Sequence, residues 1–313
     1  MSASLPRVSV LMAVYNAEPY LREAVDSVLG QTIGDVELLA VDDASTDQSL
    51  AILRQYANEQ PSRVRVFAQR DNQGQAVARN LALRHARGEF VCMLDADDWL
   101  SPDALELALR EFTSADVGCC VFRLLKEWDD RTEPYPMPLP TDRPITGQEA
   151  FRLSLSWQLH GLYLTRRKLH LRYPYDTSCR LYSDDNTSRL HYLHSPLVAF
   201  CQGEYHYRQH PLSSTTAISP QRFLLCQANL SLKRTLESEA VSPHILAQFE
   251  KIRWYNYKGQ LRLYHLNRRR LAPEERLCVH SMLRTMYGSF SRRPRVPFPL
   301  FELRQWLGSV VRR

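Results

Sequence analysis

The sequence predicts an α/β fold with a mostly parallel central sheet flanked by helices, followed by a helical C-terminal extension. Apolar runs alternate with amphipathic helical patterns over the first hundred residues, and polar clusters follow several of these runs. From about residue 220 onward the pattern is helical and basic. Repeated strand–helix units of this length are typical of a parallel sheet that is covered by helices on both faces.

The first hundred residues contain four predicted strands. They are residues 8–14, 36–41, 64–68 and 90–94. The first of them is a continuous apolar run, as expected for a strand that is buried on both faces. The helices predicted between them are residues 18–29, a helix through Leu50 and Leu53, and residues 75–87. Ser45 or Thr46 is placed to cap the second of these helices.

Beyond residue 98 the pattern becomes less regular. We predict a helix at 102–112, a strand at 117–125, a helical stretch at 145–170, a helix after the acidic segment 182–186, and a strand at 197–207. The proline-rich segment 134–144 is a predicted loop or lid, because proline removes a backbone donor and fixes φ. Trp157 and His160 are interpreted as packing residues, with contact to a ligand as the alternative.

Composition narrows the class of protein. The chain has 313 residues, 44% of them hydrophobic, and a formal net charge of +6. This charge favours anionic partners, but it is too small to indicate nucleic acid, which we do not expect as a partner. The seven cysteines form no CxxC pair, which favours reduced thiols in a cytoplasmic protein. No apolar run is long enough to span a membrane.

Three polar clusters follow predicted strands. Tyr15 and Asn16 follow the first strand, Asp42 and Asp43 the second, and residues 95–98 the fourth. Ligands of such sheets bind beyond the carboxyl ends of the strands, so we expect these clusters to meet at one edge. Carboxylate oxygens suit Mg²⁺ or Mn²⁺, which proteins often share with a substrate phosphate.

Each acidic feature also has a purely structural interpretation. The carboxylates at 95–98 and at 42–43 could be turn and cap residues. Asp184 and Asp185 could be a solvated first turn of a helix, where acids are favoured. Arg79 could pair with a nearby acid on a helix surface, and His210 could be an ordinary surface histidine.

Several motifs, taken together, resemble those of the inverting family-two glycosyltransferases, which have the GT-A fold, a Rossmann-like arrangement. The motifs are residues 8–16, Val41-Asp42-Asp43-Ala44-Ser45-Thr46-Asp47, Asn72-Gln73-Gly74 with Ala78-Arg79-Asn80, and Leu94-Asp95-Ala96-Asp97-Asp98. The resemblance covers residues 7–215. It implies a glycosyltransferase domain at 1–215, with a nucleotide-sugar half at about 1–100 and an acceptor half at about 101–215. Residues 216–313 form a separate helical, basic region.

The resemblance also implies roles for individual residues. Asp42 or Asp43 would bond the edge of the nucleotide base, Asp95 would contact the ribose, and Arg79 would approach the diphosphate. Other residues implied in donor binding are Ala13, Val14, Tyr15, Ala96 and Arg208. Asp97 and His210 would ligate the metal. The acceptor base would come from Asp184 and Asp185, of which we favour Asp185; the family usually has Glu-Asp at this point, where this chain has Asp-Asp.

The activity implied is metal-dependent, inverting transfer of a hexosyl or N-acetylhexosaminyl group, with Mn²⁺ or Mg²⁺. The donor would be a nucleoside-diphosphate sugar, UDP-linked by preference, and the acceptor a glycan or lipid-linked glycan in surface polysaccharide synthesis. One alternative is a non-catalytic nucleotide-sugar-binding protein. Another is an Asp-x-Asp phosphatase, but its motif belongs on the first strand, whereas residues 95–97 follow the fourth.

The C-terminal region has two interpretations that the sequence leaves open. Arginines at 268–270, 292–293, 295 and 312–313 surround apolar pieces that contain Phe298, Phe301 and Trp306. Basic residues interleaved with aromatic and aliphatic ones suit the surface of an anionic membrane, here the inner face of the plasma membrane. The other interpretation is a solvated helical domain that packs on the catalytic core.

Overall fold

The computed structural model describes residues 5–137, 142–209 and 219–290. It divides into two compact units, one of residues 1–177 and 184–210 and one of residues 178–183 and 211–313. The strands are β1 (Val8–Val14), β2 (Val36–Asp42), β3 (Val64–Ala68), β4 (Phe90–Met93), β5 (Trp99–Leu100), β6 (Val117–Glu127), β7 (Thr132–Pro134), β8 (Ile145–Thr146), β9 (Tyr163–Arg166) and β10 (Leu197–Arg208). The helices are α1 (Leu21–Leu29), α2 (Ser49–Glu59), α3 (Gln75–His85), α4 (Ala104–Arg110), α5 (Gly147–Ser154), α6 (Arg167–Arg172), α7 (Ser183–Leu193), α8 (Leu225–Ser238), α9 (Pro243–Asn267) and α10 (Pro273–Gly288). Short 3₁₀ helices lie at Pro220–Leu224 and Arg268–Arg270.

Within the described residues all ten strands belong to one sheet. Its main path runs β3-β2-β1-β4-β9-β6-β10-β5, with β7 on β6 and β8 on β10. The neighbours β3, β2, β1 and β4 are parallel, as are β6 and β10, while β9 is antiparallel to both β4 and β6. The prediction of an α/β fold with a mostly parallel sheet and a helical C-terminal part is therefore confirmed.

The predicted burial of the central strands on both faces is also observed. Val10 and Leu38 pack on one side with α1, whereas Leu11 and Leu39 pack on the other side with α3. Glu37, the second residue of β2, is a buried carboxylate. An unpaired buried carboxylate would be very costly, and this one accepts from Ser9 Oγ at 2.7 Å, Arg87 Nε at 2.9 Å and Arg87 N at 2.8 Å.

The prediction of a helical stretch at 145–170 is wrong in its second half. Only α5 and α6 are helical there, and β9 lies between them. β9 fits in the sheet because its short segment bonds strands on both sides, with Phe90 opposite Arg166 and Cys119 opposite Thr165. These partners are remote in sequence, so no local pattern predicts the pairing.

Two predicted helix starts are also corrected. The helix predicted from residue 18 begins at Leu21, and Ser45 and Thr46 do not cap α2, whose N-cap is Gln48 without a side-chain bond. Instead, Ser45 Oγ accepts from Asn16 N at 3.0 Å and Thr46 N donates to Asn16 Oδ1 at 2.8 Å. These hydroxyl-bearing residues therefore join the ends of β1 and β2.

The second unit is helical within its described residues. Its core contains Phe223 from the 3₁₀ helix before α8, Tyr257 and Leu261 from α9, and Leu283 and Met286 from α10. At the surface, Leu266 is 46% and Leu277 is 74% exposed, and the arginines at 268–270 are exposed as well. No helix in the described ranges is both long and apolar enough to cross a membrane. The domain boundary predicted near residue 215 stays a prediction.

Candidate active site at the carboxyl edge of the sheet

The sheet register brings the three polar clusters of the first hundred residues to one edge. β1 lies between β2 and β4, with Val14 opposite Asp42 and Leu11 opposite Met93. Adjacent strands are about 4.8 Å apart, so the ends of β2 and β4 lie roughly 10 Å from each other. The predicted convergence of these strand ends is therefore present in the fold.

The turns after β1 and β2 are tied together. Asn16 and Ala44 both have left-handed backbones, with φ of 50° and 63°. The Asn16 bonds to Ser45 and Thr46 hold the first turn, and Asp43 N donates to Val14 O at 2.8 Å. Tyr15 projects from this rim and is 52% exposed. Such a cross-linked rim presents an exposed aromatic ring on a rigid base.

Asp42 and Asp43 are both buried, and they differ in their bonds. Asp43 accepts from Gln69 Nε2 at 2.9 Å, from Gln73 N at 2.7 Å and from Gly74 N at 2.7 Å, so its carboxylate organises the loop that leads into α3. Asp42 Oδ2 accepts from Ser45 N at 3.2 Å, whereas its Oδ1 has no hydrogen-bond partner among the described residues. An acceptor atom thus remains available on Asp42.

Arg79 in α3 is 1% exposed and forms an ion pair with Asp95. Its guanidinium carbon lies 5.5 Å from the centre of the Tyr175 ring. Nε and Nη1 of Arg79 have no hydrogen-bond partner within the described part of the chain. Buried N–H groups are nearly always paired, so this arginine is arranged for an acceptor group that the described residues do not supply. The structural interpretation predicted that Arg79 pairs with a nearby acid. That acid is Asp95, which is also a member of the acidic cluster after β4.

Asp95, Asp97 and Asp98 form a compact acidic cluster after β4. One carboxylate oxygen from each lies within 4.8 Å of the others. Burial raises the pKa of Asp95 and raises that of Asp98 well above its usual range, and the like charge of Asp97 adds to both shifts. Crowded carboxylates with raised pKa values gain stability from a cation, and hard oxygen donors fit Mg²⁺ or Mn²⁺. The donor set therefore fits a divalent ion.

Asp98 differs from its two neighbours because the fold uses both of its oxygens. Tyr205 Oη donates to Asp98 Oδ2 at 2.9 Å, and Arg208 N donates to Asp98 Oδ1 at 2.8 Å. The same tyrosine oxygen accepts from Asp95 N at 3.1 Å. Tyr205 thus fixes the acidic loop from β10, and no local pattern in the sequence marks it for this role.

Arg208 holds the same loop from the last position of β10. Its Nε donates to the Asp97 carbonyl at 2.9 Å, and its Nη2 pairs with Glu23. Its guanidinium carbon lies 4.5 Å from the centre of the Trp99 ring. The arginine predicted to bind the donor is therefore placed at the acidic cluster. His210, the second predicted metal ligand, lies outside the described residues.

Asp184 and Asp185 occupy the first turn of α7, as both interpretations of the sequence allowed. The negative charge of Asp184 raises the pKa of Asp95, so these two carboxylates lie near each other. Asp185 accepts from Trp157 Nε1 at 3.1 Å. Burial raises the pKa of Asp185 to about 6, although Arg189 and the Trp157 bond oppose the shift and Asp184 adds to it. Asp185 is therefore a carboxylate with a basicity suited to proton transfer near neutral pH.

Trp157 is the neighbour of Asp185 that sequence reasoning left undecided. Its indole is 37% exposed, so it is not a core residue. His160, by contrast, is buried against the edge of the Tyr135 ring, and burial lowers its pKa to about 4. His160 is therefore a core residue, whereas Trp157 lies partly exposed beside Asp185.

Comparison with known proteins agrees with this geometry. Residues 9–179 match the model of the family described as glycosyl transferase family 2, and the chain belongs to that family. The uncharacterized glycosyltransferase EpsJ of Bacillus subtilis is 29% identical over 269 residues, which is 82% of this chain and 71% of EpsJ.

Two further similarities concern a part of the chain and the fold. The chondroitin synthase of Escherichia coli is 42% identical over 118 residues, which is 38% of this chain and 17% of the synthase. Five curated relatives, the synthase among them, match this chain over 105–118 residues. The chain covers between 12% and 42% of the length of each. Residues 1–349 of S. aureus TarS, solved in complex with UDP-GlcNAc, superpose with a TM-score of 0.71 at 21% identity, covering 90% of this chain and 81% of that one. This likeness confirms the GT-A fold.

Proposed function

We propose that this chain is an inverting, metal-dependent glycosyltransferase. It moves a hexose or N-acetylhexosamine from a UDP-sugar to a hydroxyl group of a glycan or lipid-linked glycan in polysaccharide synthesis. The UDP-GlcNAc complex of TarS supports the choice of donor, and the match to a chondroitin synthase supports a glycan product. The likeness to TarS covers 90% of this chain, and the match to the synthase covers 38% of it.

One observation supports the proposal most. Arg79 is buried beside the acidic cluster and has two nitrogens without a hydrogen-bond partner among the described residues, and Asp184, next to the carboxylate of raised pKa, interacts with both Arg79 and Asp95. Arg79 pairs with Asp95, and the negative charges of Asp95 and Asp184 both raise the pKa of Arg79. Asp185 follows in the same helical turn. Sugar transfer from a diphosphate needs these groups together. Negative charge develops on the leaving diphosphate on one side of the anomeric carbon, while the acceptor hydroxyl on the other side loses its proton.

The donor occupies the rim built by β1, β2 and β4. Tyr15, with Ala13 and Val14 beneath it, lines the base pocket. Asp42 rather than Asp43 accepts from the base edge, because Asp43 already bonds Gln69, Gln73 and Gly74, whereas Asp42 Oδ1 has no partner among the described residues. The diphosphate lies against Nε and Nη1 of Arg79, which have no hydrogen-bond partner within the described part of the chain.

Asp97 is the proposed metal ligand of the acidic cluster, with Asp95 and Ala96 lining the ribose. Asp98 serves as a structural anchor because Tyr205 and Arg208 use both of its oxygens. The cluster would hold a divalent ion through Asp97, and such an ion would supply neutralisation of the charge on the leaving diphosphate. His210 is proposed as a further ligand from the resemblance alone.

Asp185 is the proposed base. The acceptor hydroxyl transfers its proton to the Asp185 carboxylate while its oxygen bonds the anomeric carbon, and the bond from that carbon to the diphosphate breaks with its electron pair on the nucleotide. A single displacement of this kind inverts the anomeric centre. Family membership argues against the phosphatase, and a non-catalytic binder would bind the donor without needing Asp185.

The basic C-terminal region is proposed to contact an anionic membrane surface peripherally. The exposed arginines at 268–270 and the exposed side chains of Leu266 and Leu277 support this part of the proposal. Lipid-linked acceptors reside at such a surface, so the two parts of the proposed function are consistent.

The proposal is tested by turnover of UDP-sugars with Mn²⁺ by the full chain and two variants. We expect Asp185→Asn to lower transfer by about 10² to 10⁴, since that is the usual contribution of a general base, while donor binding measured by thermal shift is retained. Asp116→Asn, a change at an exposed turn, is the matched control and should leave turnover unaltered. Wild-type rates in Asp185→Asn would contradict the assignment of the base, and absence of any UDP-sugar turnover in the wild type would contradict the proposed reaction.

A further inference from the structure

The indole of Trp157 is the large aromatic surface next to the proposed base. Its Nε1 donates to Asp185 Oδ1 at 3.1 Å, and 37% of the side chain is exposed. A surface tryptophan that only filled space would gain more by burial. This ring is held against a carboxylate while part of it stays open to solvent, which indicates a surface for a ligand.

The backbone at Trp157 supports the same conclusion. Its φ is +52°, in the left-handed region that bulky aromatic residues rarely adopt. The conformation is held in place, because Trp157 N donates to Ser154 O at 3.2 Å and Tyr135 Oη donates to the Trp157 carbonyl. A glycine would take this backbone without strain, yet the chain has its largest side chain there. Strain of this kind concentrates at functional sites.

One side of the ring is already covered. The guanidinium carbon of Arg189 lies 5.3 Å from the ring centre, and Arg189 is 2% exposed. The charge of Arg189 also opposes the rise in the pKa of Asp185. The buried cation therefore covers one face of the indole.

We propose that Trp157 is the platform for the acceptor, and that the acceptor is a pyranose ring that stacks on the exposed indole. A pyranose has an apolar face of C–H groups, which suits an aromatic ring, and a rim of hydroxyl groups, one of which then faces Asp185. The indole N–H is used by Asp185, so the same residue orients the base. An acyclic polyol has no comparable flat face and gains little from the platform. This inference rests on the proposed function, whose site it extends.

The test uses the full chain with UDP and Mn²⁺. Binding of methyl hexopyranosides and of ribitol is measured by saturation-transfer NMR. Trp157→Gly removes the ring at a backbone position that favours glycine, and Trp157→Phe keeps a ring without the N–H. Trp128→Ala, in the β6–β7 hairpin where Arg131 lies 4.2 Å from its ring centre, is the matched control.

We expect pyranoside binding to weaken about tenfold in Trp157→Gly, and to be retained in Trp157→Phe and Trp128→Ala. Equal pyranoside binding by wild type and Trp157→Gly would overturn the proposal, as would preference for ribitol or absence of pyranoside binding in a chain that binds UDP. Failure of the wild type to bind UDP would instead count against the proposed function, so the two failures are distinguishable.

Discussion

At the scale of single residues, Asp185 has the property on which proton transfer depends. Its pKa is raised from 3.8 to about 6, mainly because burial penalises the charged form. The carboxylate is therefore more basic than an exposed aspartate, and it is still mostly ionised at neutral pH. The negative charge of Asp184, one residue earlier, raises the pKa of both Arg79 and Asp95. The two adjacent acids therefore have different surroundings.

The pH dependence of transfer follows from this pKa. Protonation of Asp185 removes the base, so with saturating donor and Mn²⁺ we expect the rate to rise with pH through about 6 and to fall about tenfold per unit below it. The residual activity of Asp185→Asn should not show this fall in rate at low pH. A flat profile between about pH 5 and pH 8 would contradict the assignment.

Residue types alone could not divide the roles within the acidic cluster. The sequence predicted a metal site after the fourth strand, and the three carboxylates do lie together. That Asp98 is an anchor depends on Tyr205 and Arg208, which lie more than a hundred positions later. Hydrogen bonds over such separations leave no local pattern, and the same holds for the contact between Trp157 and Asp185.

At the scale of secondary-structure elements, β10 is shaped by one glycine. Its register with β6 shifts between Phe200 and Glu204, and Gly203 lies in that bulge. A Cβ atom on Gly203 would lie 2.7 Å from both Ala104 Cα and Ala104 O, so the bulge lets α4 approach closely. β10 carries Tyr205 and Arg208, and its position therefore affects the acidic loop.

We expect Gly203→Ala to destabilise the protein by about 1–3 kcal/mol, because backbone atoms of α4 cannot yield as a flexible side chain would. Gly34→Ala is the control, since a Cβ there meets nothing within 4 Å. Its effect should stay within about 0.5 kcal/mol. Urea unfolding of both variants measures the difference, and equal midpoints would show that the close approach has no energetic consequence.

Local sequence predicted well those elements whose own residues carry the pattern. β1 to β4 occur at the predicted strands, and α7 begins at the predicted acidic segment. β9 lies within the stretch predicted to be helical, and its strand conformation depends on pairing with β4 and β6. Prediction failed where remote partners, rather than neighbouring residues, determine the conformation.

At the scale of the whole molecule, the sheet topology explains why the site was predictable. Ligand sites of parallel sheets form beyond the carboxyl ends of strands, so motifs separated by thirty to fifty residues meet at one edge of the sheet. The role of the helical unit was not predictable in this way, because its exposed arginines and leucines suit either solvent or a membrane surface.

Binding to lipid vesicles separates these two cases. The full chain should sediment with vesicles that contain anionic phosphatidylglycerol and not with pure phosphatidylcholine. The double variant R268E/R269E should bind at least about tenfold more weakly, because each basic residue near such a surface contributes about 1 kcal/mol. R54E/R143E, which makes the same charge change at exposed positions of the first unit, is the control. Equal loss in both variants, or no binding at all, would favour the solvated domain.

The proposed reaction depends most on the binding of a nucleoside diphosphate, together with a divalent ion, at the acidic edge of the sheet. Calorimetric titration of the full chain with UDP, and with GDP for comparison, tests it in Mn²⁺ and in EDTA. We predict UDP binding in Mn²⁺ that weakens at least about tenfold in EDTA and in Asp97→Ala, since each loses the ion that neutralises the diphosphate. Binding of equal affinity in all three conditions, or no binding of either nucleotide, would contradict it.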